Sequence, residues 1–274
     1  MVDMGISVIT VVLNDRRGFA ATAASVREQT CSEFEWIVVD GGSVDGTLEV
    51  IRAHEPRISA LHSGPDRGVY DAMNRGLGLA GGDFVVFMNA GDRFARPDTL
   101  VRVAEALDRA AQPIDILFGG TILDLPRNER VYRPPHPAAA RLRYGLPAYH
   151  QATFVRRELH RSVPHDLRYR VSSDYYTIAK MCRAGARTLP LDIPVAIHDF
   201  GPQNLSKRAT LTRFRDFIAV QRRVLGKSWP EIAVNTGRLL CVHWAYLAII
   251  SPGLGRLLAP VLLARWRVQP DAAT

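Results

Sequence analysis

Cysteine is scarce in this chain, with three residues in 274 and no Cys-x-x-Cys pair. Cys31, Cys182 and Cys241 lie far apart, which argues against a disulfide framework and against a zinc knuckle. Scattered thiols are typical of a reducing compartment. The N-terminus also lacks a basic stretch followed by an apolar segment, so we expect a cytoplasmic protein without a cleaved signal peptide.

Two nucleotide-binding patterns are missing after the first β-branched run. Leu13 is followed by Asn-Asp-Arg-Arg-Gly, without the GxGxxG motif of a dinucleotide-dependent oxidoreductase. A nucleotidyltransferase built on a similar sheet would need a Gly-rich loop with a basic residue at this place, and the chain has none there. Both classes are therefore excluded.

Composition indicates a packed globular protein, since 47% of the residues are hydrophobic and 23% are charged. The formal net charge is +8. A basic surface attracts nucleic acid, anionic lipid or phosphorylated substrates, and the charge alone does not choose among them.

The first half of the chain alternates strand and helix patterns, beginning with the β-branched run Ile6–Leu13. The predicted strands are residues 6–13, 34–39, 58–62 and 83–88, and the predicted helices are 18–29, one from Thr47, and 66–79. This alternation predicts a largely parallel sheet, in which ligands bind beyond the carboxyl ends of the strands. Those ends carry Asn14, Asp40, Ser63 and the turn Asn89–Asp92.

The rest of the chain has a different character. Residues 127–147 are rich in Pro, Arg and Ala and predict a long loop, followed by a strand at 150–155, a helix at 172–185 and a strand at 194–198. The tail has no charged residue from Leu239 to Leu254. This stretch is shorter than the ~20 residues that span a bilayer, so we expect helices that lie in the membrane interface. Burial on the catalytic domain or in a homodimer is the alternative.

Three polar motifs follow predicted strands. Asp40-Gly41-Gly42-Ser43 is a turn in which the glycines let a ligand approach, while the carboxylate suits a base ring N–H. Asp66-Arg67-Gly68-Val69-Tyr70-Asp71-Ala72-Met73-Asn74-Arg75-Gly76 places Asp71 and Asn74 on one helix face. Asn89-Ala90-Gly91-Asp92 brings an acid to the sheet edge, where Mg²⁺ or Mn²⁺ would take one or two carboxylates with diphosphate oxygens.

The order of these motifs resembles family 2 glycosyltransferases of the GT-A fold, in particular the short bacterial branch of polysaccharide and glycolipid assembly. The matching segments are 8–14, 36–47, 66–76 and 84–92. The resemblance implies an α/β GT-A catalytic domain at 1–205, with a mostly parallel, Rossmann-like sheet flanked by helices. A helical, membrane-associated appendage is expected at 206–274.

The resemblance also implies roles for single residues. The donor nucleotide and sugar would contact Asn14, Asp40, Gly42, Asp66, Arg67, Asp71, Asn74, Asn89, Ala90 and Gly91. Asp92 stands at the last acid of the family's metal-binding D-x-D motif, but Asn89 and Gly91 replace the usual acids.

The second half supplies the remaining predicted site residues. Asp174, in Ser172-Ser173-Asp174-Tyr175-Tyr176, resembles the family's catalytic base, and His198 stands where GT-A enzymes place a C-terminal metal contact. His150 and Gln151 are expected to position the acceptor or the diphosphate. The other histidines of this region are predicted to be loop residues, namely His136, His160 and His165.

Two functions remain open from the sequence. The first is an inverting glycosyltransferase that needs Mn²⁺ or Mg²⁺ and uses a UDP-, GDP- or dTDP-sugar, with UDP favoured. Its acceptor would be a lipid-linked or polysaccharide hydroxyl at the cytoplasmic face of the inner membrane, and nucleic acid is not expected as a partner. The second is a catalytically decayed accessory protein that binds nucleotide sugars or membranes, which the altered D-x-D motif permits.

Overall fold

The structure is a computed structural model that describes residues 5–125, 129–199 and 210–250. Its strands are β1 (Ile6–Val12), β2 (Phe34–Asp40), β3 (Ala60–Ser63), β4 (Phe84–Phe87), β5 (Arg93–Phe94), β6 (Ile116–Leu125), β7 (Glu129–Arg133), β8 (Thr153–Arg156) and β9 (Thr188–Asp199). Its helices are α1 (Arg16–Arg27), α2 (Thr47–Arg52), α3 (Val69–Leu79), α4 (Thr99–Asp108), α5 (Ala138–Arg141), α6 (Arg157–Ser162), α7 (Ser173–Arg183), α8 (Thr210–Arg223) and α9 (Trp229–Ile250).

The strands form one sheet in the order β3-β2-β1-β4-β8-β6-β9-β5, with β7 paired to β6. Strands β3, β2, β1 and β4 are parallel, as the alternating pattern predicts. Val12 pairs with Asp40 and Asp40 pairs with Ser63, so the carboxyl ends of three strands are level. β8 joins the sheet antiparallel to β4 and thereby brings the second half of the chain to the same sheet.

The sheet is covered on both faces, because side chains of successive strand residues point to opposite sides. Val8 packs in one buried cluster with Phe19 of α1 and Leu100 of α4. Ile9, its neighbour, packs in a second cluster with Met73 of α3 and Ile178 of α7. Burial on both faces explains why β1 and β2 are continuous apolar runs.

Several predicted elements are corrected. The loop predicted at 127–147 contains β7 and α5, and β7 escaped notice because an edge strand with arginines looks like a polar loop. The strand predicted at 150–155 starts only at Thr153, after a 3-10 helix at His150–Ala152. The helix predicted from Asp66 begins at Val69, because Gly68 adopts a φ of 111°.

Buried contacts join the C-terminal helices α8 and α9 to α7. The Asn235 amide donates to Gln221 Oε1 at 3.0 Å, and the Gln221 amide donates to the hydroxyl of Tyr175 in α7. Tyr175 also stacks on Phe217 of α8. Part of the uncharged tail segment lies in α9, and the part from residue 251 lies outside the described residues. No helix in the described ranges is both long and apolar enough to cross a bilayer.

Candidate active site at the carboxyl edge of the sheet

The turn after β2 is organised by Asp40, whose side chain is fully buried. Its carboxylate accepts hydrogen bonds from the backbone N–H of Ser43 at 3.1 Å and from the Ser63 hydroxyl at 2.7 Å. Gly42 has a φ of 91°, and a Cβ there would lie 3.3 Å from the nitrogen of Pro65. Asp40 therefore shapes the turn after β2 through its own hydrogen bonds.

Asn14 ties the end of β1 to the same turn. Its backbone adopts a left-handed φ of 50°, its N–H donates to Ser43 Oγ, and its side-chain oxygen accepts from the N–H of Val44. Asp66 lies directly over Gly41, since a Cβ on that glycine would meet Asp66 Oδ2 at 2.5 Å. Asn14 and Asp66 thus both lie against the turn that follows β2.

Asp71 braces the start of α3. Its nearly buried carboxylate pairs with Arg67 at 2.9 Å and with Arg75 at 3.1 Å. The hydrogen bond from Arg67 is the largest influence that lowers the pKa of Asp71. The Arg67 side chain is 77% exposed, so it alone of this trio faces broadly to solvent.

Asn74 holds a distant backbone segment. Its amide donates to the carbonyl of His165 at 2.8 Å and accepts from the N–H of the same residue at 2.9 Å. His165 packs against Tyr70 and against His160, which belongs to α6 rather than to the predicted loop. Both ends of the Asn74 amide are thereby used within the protein.

The turn after β4 is supported by α1. The Thr22 hydroxyl donates to the carbonyl of Asp92 at 2.7 Å and accepts from the N–H of Gly91 at 3.0 Å. Ala90 donates to the carbonyl of Val11, and Gly91 has a φ of 94°. These bonds aim the Asp92 side chain at the second half of the molecule.

Residues from two distant segments, 150–151 and 198, surround the buried Asp92 carboxylate. His198 Nδ1 lies 2.5 Å and Gln151 Nε2 3.3 Å from Asp92 Oδ1, while His150 Nε2 lies 3.8 Å from Oδ2. The Asn89 amide lies 3.2 Å from His150 Nε2. Asn89 and Asp92 of the first half therefore meet residues 150, 151 and 198 of the second half.

Asp174 lies on the other side of His150. His150 Nδ1 is 3.8 Å from Asp174 Oδ2, and Asp174 Oδ1 accepts hydrogen bonds from the hydroxyl of Tyr70 at 3.2 Å and the N–H of Tyr175 at 2.8 Å. Burial raises the pKa of Asp174, against the opposing influence of His150 and these hydrogen bonds. Burial lowers the pKa of His150, against both carboxylates. The imidazole of His150 thus lies between the two acids.

Three site residues escaped the sequence interpretation. Tyr70 lies inside the motif 66–76, so of the three it is the residue that the sequence could most readily have indicated. The Tyr149 ring lies tilted against that of His198, with ring centroids 5.7 Å apart. Arg213 of α8 is half-buried, and burial lowers its pKa, while Tyr149 and Asp174 act on it electrostatically in the opposite direction. It forms no ion pair within the described part of the chain. No local motif distinguishes Arg213 from the other arginines of the tail.

Amide oxygens complete the surroundings of Asp92. Asn89 Oδ1 and Gln151 Oε1 are buried without a hydrogen-bond partner. Within the described ranges, no group of three or more His, Cys, Asp or Glu side chains is arranged to hold a metal. The groups around Asp92 are therefore its own carboxylate, the imidazoles of His198 and His150, and the side-chain amides of Gln151 and Asn89.

Comparison with known proteins agrees with this geometry. The sequence model of Glycosyl transferase family 2 matches residues 7–163, more than half of the chain. The chain belongs to this family. A "PGL/p-HBAD biosynthesis glycosyltransferase" of Mycobacterium bovis is 33% identical over 264 residues, covering 95% of this chain and 90% of the relative. The protein is thus a glycosyltransferase of the bacterial polysaccharide and glycolipid branch.

Solved structures confirm the GT-A fold of this glycosyltransferase. S. aureus TarS 1–349 in complex with UDP-GlcNAc superimposes with a TM-score of 0.64 at 17% identity, covering 86% of this chain and 72% of that one. The mannosyltransferase PcManGT from Pyrobaculum calidifontis, in complex with GDP-Man and Mn²⁺, gives a TM-score of 0.63 at 20% identity, covering 98% and 77%. Identities this low establish the fold and not the substrate.

Proposed function

We propose that this glycosyltransferase transfers a sugar, with inversion, from a nucleoside diphosphate sugar to an acceptor hydroxyl. The observation that carries this proposal is the pair of carboxylates, Asp92 and Asp174, each 3.8 Å from one nitrogen of His150. Asp92 belongs to the turn on the donor side of the sheet, and Asp174 to the helix contributed by the second half. Two acids held apart in this way suit separate roles on leaving group and acceptor.

Asp174 is the proposed general base. The acceptor oxygen forms a bond to the anomeric carbon, the bond from that carbon to the diphosphate breaks, and the acceptor proton passes to Asp174. Its raised pKa, caused by burial, makes the carboxylate a stronger proton acceptor. Tyr70 orients Asp174 through its hydroxyl.

A divalent cation fits the residues around Asp92. Asp92 and His198 would hold Mn²⁺ or Mg²⁺, and the unpartnered oxygens of Asn89 and Gln151 offer further neutral ligands. When bound, the cation supplies charge neutralisation for the departing diphosphate. Asn89 and Gly91 in place of acids predict weaker cation binding than two carboxylates would give.

The donor half is proposed to hold the nucleotide and sugar. Asp40, Gly42 and Asn14 form the nucleotide-side turn, and Asp66 and Arg67 border the sugar side, with UDP as the first candidate ahead of GDP and dTDP. Asp71 supports Arg67. Arg213, half-buried and within electrostatic range of Asp174, has no ion pair in the described part of the chain and is proposed to bind phosphate oxygens of donor or acceptor.

We also propose a lipid-linked or polysaccharide acceptor and peripheral membrane contact through residues 206–274. The charge of +8 favours contact with the anionic cytoplasmic face of a membrane. The M. bovis relative is named for PGL/p-HBAD biosynthesis, which supports a glycolipid acceptor.

A donor screen that measures released nucleotide, with and without Mn²⁺, tests the activity. Asp174→Asn should reduce turnover about 10²–10⁴-fold, because general-base catalysis is worth that much, while nucleotide binding measured by calorimetry stays. Asp108→Asn, which changes an exposed carboxylate of α4, is the matched control. Nucleotide binding without turnover of any donor would support the decayed accessory protein, and full activity of Asp174→Asn would refute the base.

A further inference from the structure

One side of α9 carries no charged residue, and the part of the chain that the structure describes leaves most of this side exposed. At 100° per residue, positions 229, 230, 233, 234, 237, 240, 241 and 244 fall on one side of the helix. Trp229 is 62% exposed, Val234 59% and Trp244 66%. Ile232 and Asn235 lie on the opposite side and are buried against the catalytic part. We call the set of eight residues the uncharged face.

Basic side chains border this face. Arg222 lies over the ring of Trp229 at 5.7 Å, and Arg238 lies over Tyr144 at 4.6 Å. Residues 210–250 contain six Lys or Arg and two Asp or Glu. Six bases against two acids leave a net charge of +4 in this segment, with Lys227 paired to Glu231 at 2.8 Å.

We propose that the uncharged face of α9 docks on an anionic lipid bilayer, which deepens the proposed function by naming the surface and the charge of its partner. Tryptophan and arginine are the side chains that favour the boundary between headgroups and acyl chains. Apolar rings enter that boundary while the basic border meets anionic headgroups. A second copy of the chain would instead bring two positively charged borders together.

Docking would set the distance of the active site from the membrane. Asn235 on the buried side of α9 bonds to Gln221, and Gln221 bonds to Tyr175, which follows Asp174 in α7. These contacts are buried and hydrogen-bonded, so the uncharged face and the proposed base move as one body. A membrane-borne acceptor would therefore meet Asp174 at a fixed height.

Vesicle binding of the full chain tests the proposal without donor or acceptor. Co-sedimentation is measured with phosphatidylcholine vesicles that contain or lack phosphatidylglycerol. The double variant Trp229→Ser/Trp244→Ser should bind anionic vesicles roughly tenfold or more weakly, since two indole rings no longer leave water on binding. Leu79→Ser, at a 46% exposed leucine on α3, is the control and should bind like the wild type.

Cys241 provides a second readout on the same face. It is exposed, so in the Cys31→Ser/Cys182→Ser variant a water-soluble maleimide should label it quickly, and anionic vesicles should protect it. Equal vesicle binding by wild type and the double tryptophan variant would overturn the proposal, as would equal binding to vesicles without phosphatidylglycerol. Slow labelling without vesicles would also overturn it: in a monomer it would mean that the chain covers this face itself, and in a dimer that a second copy does.

Turnover separates this proposal from the glycosyl transfer on which it builds. With a water-soluble acceptor, the double tryptophan variant should match the wild type. With the acceptor embedded in anionic vesicles, it should be slower by about the factor lost in binding. Absence of turnover in the wild type would refute the proposed function and leave the vesicle result standing.

Discussion

Removing the Asn74 side chain should destabilise the fold more than it weakens donor binding. Asn74→Ala deletes two hydrogen bonds, of 2.8 and 2.9 Å, to the backbone carbonyl and N–H of His165. His165 is only 5% exposed, so water does not replace both bonds. Each unsatisfied buried group costs about 1–3 kcal/mol, which gives a loss of roughly 2–4 kcal/mol in the free energy of unfolding when part of the cost is relieved by relaxation.

Thermal and urea unfolding measure this loss. A change of 1 kcal/mol moves the Tm of a domain of this size class by about 2–4 °C, so Asn74→Ala should melt roughly 4–16 °C below the wild type. Gln112→Ala, which removes an exposed amide, is the matched control and should melt like the wild type. Asn74→Asp should resemble Asn74→Ala, because its second oxygen would face the His165 carbonyl.

The same variants decide between support and direct donor contact. If Asn74 acts through the His165 segment, the KM for the nucleotide sugar changes little and turnover falls, since this segment leads to Asp174. A variant with the melting temperature of the wild type and a strongly raised donor KM would refute the supporting role.

Three further predictions rest on single contacts. Gly76→Ala should cost about 1–3 kcal/mol of unfolding free energy, since its Cβ would meet Ile9 at 2.4 Å, whereas Gly78→Ala in the same helix meets nothing within 4 Å and should gain up to about 1 kcal/mol; equal melting curves would contradict this. Burial lowers the pKa of His160 from 6.5 to about 4, so the unfolded chain binds more protons than the folded chain below pH 6.5. This group should therefore lower the free energy of unfolding by about 2 kcal/mol at pH 5. Urea unfolding at pH 5 and at a pH above 6.5 measures the difference, which His160→Gln should reduce. Arg213→Ala should lower kcat/KM about 10–100-fold, as expected for a charged hydrogen bond, and Arg213→Lys should remain partly active. Arg215, whose side chain is 72% exposed, provides the control Arg215→Ala. Identical kinetics for the two alanine variants would contradict a phosphate contact of Arg213.

Local pattern was sufficient for the elements between residues 6 and 88, whereas β5, α4 and β6 were not predicted. The apolar runs of β1 and β2 predict strands buried on both faces, because no polar alternation is needed where helices cover both sides of a sheet. Parallel pairing then places Asn14, Asp40 and Asn89 at one edge. The order of these motifs also indicates the glycosyltransferase family, since each motif occupies a strand end where ligands bind.

Local pattern was insufficient where a residue's partner lies far along the chain. Asp92 meets His198 across 106 positions, and Tyr70 meets Asp174 across 104. No periodicity encodes such distances, so the resemblance predicted the residues but not the way His150 separates the two acids. Likewise, the motif that contains Asn74 predicted a donor contact, whereas the fold supplies His165 as its partner.

The positions of the polar motifs at the carboxyl edge of the sheet are therefore determined largely by the local sequence, because strand ends and glycine turns fix where these motifs emerge. Tertiary structure decided which of those polar groups remain available. The side chains of Asp40, Asp71 and Asn74 are hydrogen-bonded or ion-paired to other residues of the protein. Burial raises the pKa of Asp174, and half-buried Arg213 lies within its electrostatic range. These properties depend on what packs against each side chain, and that is settled only when both halves of the chain share one sheet.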